Sequence, residues 1–112
     1  MSYNNLELIR HILDEVAFIL QHTKGRTKEE TVQDAVLSRA IVRSLEIIGE
    51  AARKTDQDFK TNHREVEWKK MSGTRDKLIH DYFGIDYDIV WEIIQERLPL
   101  LKVQLEKIMK AS

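Results

Sequence analysis

Apolar residues recur along this chain at helical spacing almost throughout. Leu6, Ile9, Leu13, Val16 and Leu20 fall on one stripe, and Leu8, Ile12 and Ile19 widen it. The spacing predicts a first helix from about Asn4 to Thr23. Asn4 is a capping residue, Glu7 stands at the capping-box distance, and Gly25 supplies the left-handed residue that ends a helix. Thr27-x-x-Glu30 opens a second helical run to about Lys54, with a break expected near Thr31. Its apolar positions, Val36, Leu37, Ala40, Ile41, Ile47, Ile48, Ala51 and Ala52, form an arc wide enough to meet two partners. Arg39, Arg43, Glu46, Glu50 and Arg53 make a polar seam on the same run, spaced for ion pairs.

Residues from Thr55 to about Glu67 read as a polar connection, with Phe59 as a plug against the core. A third helix is expected from Trp68 to Phe83, with Gly84 as its stop. Gly73 interrupts its propensity, and either admits a close neighbour or marks a helix start capped by Thr74. A fourth helix starts at Asp86 and is expected to kink near Leu98, because Pro99 lacks a backbone donor. No β-pattern of useful length is visible. The expected fold is all-α: one domain over residues 1–112, an antiparallel bundle of four to five helices.

The composition narrows the function. Zero Cys excludes disulfides and thiolate chemistry. No apolar run reaches the length of a membrane span, so no membrane partner is expected. Met1-Ser2-Tyr3-Asn4-Asn5 has no basic region followed by an apolar one, so the expected location is the cytoplasm. The formal net charge of −1 argues against broad adhesion to nucleic acid, and no DNA partner is expected. Charge is nonetheless segregated. Lys60, Arg64, Lys69, Lys70, Arg75 and Lys77 cluster between positions 60 and 80, whereas Asp81 to Glu96 holds acids and no Lys or Arg. The plainer reading of that cluster is a solvated face.

One stretch carries candidate chemistry: Arg75-Asp76-Lys77-Leu78-Ile79-His80-Asp81-Tyr82. A guanidinium can clamp a phosphate through two parallel hydrogen bonds, and an imidazole can move a proton near neutral pH. With eight Arg and four His in 112 residues, an Arg-x-x-x-x-His pair is expected about 0.3 times by chance. Adding a Tyr two places further on lowers this to about 0.008, which takes the triplet out of the range of accident.

The reaction such groups support is attack of an RNA 2′-hydroxyl on the adjacent phosphorus. His80 is the candidate base or acid, and Arg75 the group that stabilises the added phosphoryl charge. Asp76 is a supporting residue that pairs with a neighbouring Lys or holds the cleft's shape. No metal set is recognisable and no cofactor is expected. Arg75 and His80 lie about 140° apart on a regular helix, so they do not converge on one phosphate. Either the helix unwinds before Gly84, or two copies face each other and pool these side chains. The second route doubles the cationic groups and predicts a homodimer.

The chain resembles the HEPN superfamily, and within it the HepT-like toxins. The similarity runs through Arg39-Ala40, Leu45-Glu46-Ile47-Ile48-Gly49-Glu50-Ala51, Trp68, Arg75 to Gly84 and Leu98-Pro99-Leu100. The family pattern is Arg, a polar residue, three further residues, His, any residue, Tyr. Arg75, Asp76, His80 and Tyr82 fit it, with Asp76 where Asn is common. The resemblance implies a homodimeric, metal-independent ribonuclease acting as a toxin beside a minimal nucleotidyltransferase antitoxin. It also implies that the antitoxin transfers AMP onto Tyr82. The competing expectation is a non-catalytic helical module that holds a nucleotidyltransferase or a nucleotide.

Overall fold

The computed structural model describes residues 4–81 and 84–112, and of residues 75 and 79–81 the backbone alone. Helix α1 (Asn5–Thr23) is followed by α2 (Lys28–Gln33), α3 (Ala35–Lys54), α4 (Gln57–Asn62) and α5 (Trp68–Leu78). Two short strands, β1 (Ile79–Asp81) and β2 (Gly84–Ile85), come next, then α6 (Tyr87–Glu92), a π-helical turn (Ile93–Arg97) and α7 (Leu98–Lys110). The long elements form the expected all-helical bundle. Helix α3 is its centre and packs against both α1 and α5, while α7 closes over α1.

The packing follows from the stripes. Ile9, Ile12, Val16 and Ile19 of α1 have no exposed surface, and Ile41, Leu45 and Ile48 of α3 are buried with them. Leu105 of α7 completes the cluster. Burying each such side chain is worth about 1.5–3 kcal/mol, enough to fix which face of each helix turns inward. That burial in turn leaves the polar seam of α3 on the outside.

Several boundaries differ from the sequence reading, each for a local reason. The second helical run breaks at Asp34, not at Thr31. Asp34 closes α2 through its N–H to the Glu30 carbonyl and caps α3 by accepting the Leu37 N–H at 2.9 Å. Thr31 is instead buried, its hydroxyl donating to the Thr27 carbonyl at 2.9 Å. The polar connection contains α4, and Phe59 there packs its ring 6.2 Å from Trp68, edge to face. Thr74 is not a cap; it lies inside α5, buried, with its hydroxyl on the Lys70 carbonyl at 2.7 Å.

The close approach sought at Gly73 is found at Gly49, which faces the Met71 carbonyl of α5. Pro99 does perturb the last helix. The Leu98 N–H reaches back to the Ile93 carbonyl, a five-residue span, so the helix takes in one wide turn ahead of the proline.

The largest correction falls on the third helix. It ends at Leu78, and Ile79–Asp81 runs as a strand paired antiparallel with Gly84–Ile85. The Asp86 N–H donates to the Leu78 carbonyl at 3.0 Å, which ties the helix end to the start of α6. Gly84 has φ +141°, a value side chains rarely adopt, and it opens β2 instead of stopping a helix. Phe83, the expected last residue of that helix, lies outside the described residues.

Candidate active site

Helix α5 presents Trp68, Met71, Thr74 and Leu78 to the core, all buried. This fixes its rotation. Asp76 and Lys77 are consequently exposed. Arg75 sits on the last turn of α5, and His80 is the middle residue of β1. Leu78, at 1% exposure, anchors the chain between them. Beyond the strands, Asp86 caps α6 by accepting the N–H groups of Asp88 and Ile89 at 3.0 and 3.2 Å. The motif backbone is therefore held at both ends by packed or hydrogen-bonded residues.

The end of α5 at Leu78 changes the geometric argument for two copies. The 140° separation of Arg75 and His80 assumed one continuous helix; with a strand after Leu78 that angle no longer applies. Tyr82, the third member of the triplet, lies outside the described residues.

Beside the motif helix is an open groove of about 500 Å³ between α1, α3 and α5. Asp76 and Ser72 of α5 line one wall, and Arg43, Glu46, Glu50 and Arg53 of α3 line the other. Four of the five residues of the polar seam thus share a groove with the second motif residue. Glu50 is engaged by Arg53 and has the Lys54 Nζ at 3.7 Å. The Arg53 hydrogen bond is the main cause that holds the Glu50 carboxyl below its ordinary value, with Lys54 adding to it. A charged acid is thereby maintained in the groove. His11 of α1 also lines it, a residue that sequence reasoning passed over. It stands on the exposed side of an ordinary amphipathic helix, and only the packing of α1 on α3 brings it there.

Among the described residues, no three His, Asp or Glu side chains form a group that could hold a metal ion. No helix among them is long and apolar enough to cross a membrane.

A helical bundle whose Arg-Asp-x-x-x-His-x-Tyr motif begins on the last turn of a core helix is of the HEPN type that the sequence resembles. A description of the HepT-like ribonucleases matches residues 12–108, and the chain belongs to that family, within the HEPN superfamily. A protein of Caldanaerobacter subterraneus subsp. tengcongensis, described as a "putative RNase", is 47% identical over 102 residues, covering 91% of each chain. One from Methanocaldococcus jannaschii, also described as a "putative RNase", is 40% identical over 99 residues, 88% of this chain and 82% of its own. A "probable ribonuclease HepT" of Thermococcus cleftensis is 36% identical over 110 residues, 98% of this chain and 100% of its own. No solved structure matches the chain.

Proposed function

We propose that the protein is a metal-independent endoribonuclease that acts as the toxin of a toxin–antitoxin pair. The observation that carries this reading is the family match over residues 12–108, which spans the complete Arg75, Asp76, His80 and Tyr82 motif. The ribonuclease class follows from the family; the roles of single residues follow from their chemistry. In the cleavage step the RNA 2′-oxygen attacks the adjacent phosphorus as its proton passes to a base. The 5′-oxygen leaves with a proton from an acid, and a 2′,3′-cyclic phosphate remains. His80 is the acid–base group, and Arg75 compensates the charge that builds on the phosphoryl oxygens. Asp76 supports the site from the groove wall. No metal takes part. On the family resemblance alone, two copies are proposed to pool their Arg75 and His80 groups in a shared cleft, and the reaction is proposed to be cytoplasmic.

Regulation is proposed at Tyr82. A nucleotidyltransferase antitoxin would bring ATP to the phenol. The Tyr82 oxygen attacks the α-phosphorus, the bond to pyrophosphate breaks, and the phenolic proton is lost. The product is an AMP ester whose phosphate competes with RNA for Arg75.

The test is cleavage of total RNA in EDTA by the unaltered protein and by Arg75→Ala and His80→Ala variants. The unaltered protein should cut and both variants should not. Equal cleavage by all three, or none by the unaltered protein, would overturn the catalytic reading. RNA left intact while a nucleotidyltransferase still binds both variants would instead favour a non-catalytic binding module.

A further inference from the structure

A second open concavity, of about 630 Å³, lies on the other side of Ser72 from the groove beside Asp76. Lys60 of α4, Arg64 and the α5 residues Lys69 and Lys70 line it, against a single acid, Glu67. Four cations facing one carboxylate is a local excess of positive charge in a chain whose formal net charge is −1. The lone acid is engaged, with its carboxylate 2.6 Å from the Lys70 Nζ. That hydrogen bond is also the main cause that keeps Glu67 ionised to lower pH than usual.

The floor of the concavity is rigid and apolar. Val66 and Trp68 are buried beneath it, and the Trp68 indole N–H donates to the His63 carbonyl at 3.0 Å. A predominantly positive concavity over a low-dielectric floor focuses its field into the opening and raises the local concentration of counter-charges. Arg64 and Lys69 are exposed, so their charges meet solvent at the rim.

Position ties this surface to the motif. Ser72 lines both concavities, so they are contiguous across α5. Lys69 precedes Arg75 by six residues on the same helix, which is about 9 Å along its axis.

We propose that the concavity lined by Lys60, Arg64, Lys69 and Lys70 binds the sugar–phosphate backbone of RNA flanking the cleaved bond. The proposal rests on the ribonuclease reading for its ligand. A strand is favoured over an acidic protein surface because the concavity offers spaced cations and no exposed apolar anchor. The exposed large apolar side chains of the described residues, Val36, Leu100 and Val103, are not among those that line it. Protein interfaces take most of their energy from such anchors, whereas phosphate contacts do not need them.

The test uses a fluorescent single-stranded 2′-O-methyl oligoribonucleotide, whose blocked 2′-oxygen prevents cleavage. Its dissociation constant is measured at several salt concentrations for the unaltered protein and a Lys60→Gln/Arg64→Gln/Lys69→Gln variant. A Lys102→Gln/Lys107→Gln/Lys110→Gln variant, altered on α7, controls for loss of charge alone. Three lost phosphate contacts should lower the slope of log affinity against log salt by about 2, and weaken binding at low salt at least tenfold. The α7 variant should bind as the unaltered protein does. Unchanged slope and affinity in the first variant, or equal losses in both, would overturn the proposal.

Should the triple variant not fold, Arg64→Gln and Lys69→Gln carry the test singly, each with a slope loss of about 0.7. A dinucleoside monophosphate is too short to reach the concavity, so its cleavage should be equal in the unaltered and first variant proteins. Selective loss of that cleavage would assign the cations to the reaction itself and overturn the proposal. If the unaltered protein cuts no RNA at all, the ribonuclease reading fails, while the slope comparison still decides the concavity.

Discussion

A methyl group built on Gly49 would stand 2.9 Å from the carbonyl oxygen of Met71, closer than such carbons come to a backbone oxygen. This contact sets how near α3 and α5 lie, and α5 carries the candidate motif. Gly49→Ala should therefore destabilise the protein, although alanine favours helix by about 1 kcal/mol over glycine. Overpacking costs about 1–3 kcal/mol, and here the obstructing atom is backbone that cannot rotate away. The expected net loss is up to about 2 kcal/mol, read from urea unfolding. A variant as stable as the parent would show that the two helices separate freely.

Gly73 presents the opposite case. It lies within α5, yet nothing stands within 4 Å of the position its Cβ would occupy. Gly73→Ala gains helix propensity without a clash. Unfolding should shift toward higher urea by about 0.5–1 kcal/mol of added stability, with RNA cleavage retained. A destabilised Gly73→Ala variant would mean that this open face is covered in the working protein.

The two glycines show where the sequence was readable and where it was not. Both interrupt helical stretches, and nothing in their neighbours tells a glycine under a carbonyl from one facing open space. The caps were readable, because Asn4, Thr27 and Asp86 act on backbone groups two or three residues away. So were the apolar faces of α1 and α3, which depend on spacing alone, except at Val36, which is 80% exposed at the start of α3. The end of α5 was not. Leu78, Ile79 and Phe83 keep a helix-compatible pattern, while the actual stop depends on β2 and on the Asp86–Leu78 hydrogen bond. The motif itself was evident from residue types. The groove beside it was not, since His11, Glu46 and Asp76 meet only after three helices have packed.

Acidification should weaken the fold by a route with a defined sign. The Glu30 carboxylate accepts the Thr27 N–H at 3.0 Å, while Thr27 Oγ1 accepts the Glu30 N–H at 3.1 Å. The Thr27 N–H, then its side chain and the Arg26 charge, hold the Glu30 carboxyl below its ordinary value. A depressed acid contributes its stability in full above the unfolded carboxylate value, and loses it as pH falls through the folded one. Asp34, held down chiefly by the Leu37 N–H, acts in the same direction. Glu30→Gln should be less stable than the parent at neutral pH, and the two thermal midpoints should converge on acidification. A gap independent of pH would remove the capping carboxylate from the account.

Arg75→Lys separates charge from shape at the candidate site. Lysine keeps the positive charge but has no planar fork to hold two phosphoryl oxygens at once. If Arg75 stabilises the transition state through paired hydrogen bonds, kcat should fall tenfold or more, with a smaller change in KM. Cleavage equal to that of the parent would reduce Arg75 to a general source of positive potential.

Tyr82→Phe addresses the proposed control of the enzyme. Removing one oxygen deletes the only atom that the α-phosphorus of ATP could receive at this position. It leaves Arg75 and His80 in place for the cleavage step. The variant should cut RNA at close to the parental rate, and should gain no mass after incubation with the nucleotidyltransferase and ATP. The parent under the same conditions should gain one AMP and lose cleavage. Co-expression of the antitoxin should then rescue growth of cells that carry the parent, but not of cells that carry Tyr82→Phe. An AMP adduct on the variant would move the modification to another side chain. Loss of cleavage in the unmodified variant would give the phenol a part in the reaction itself.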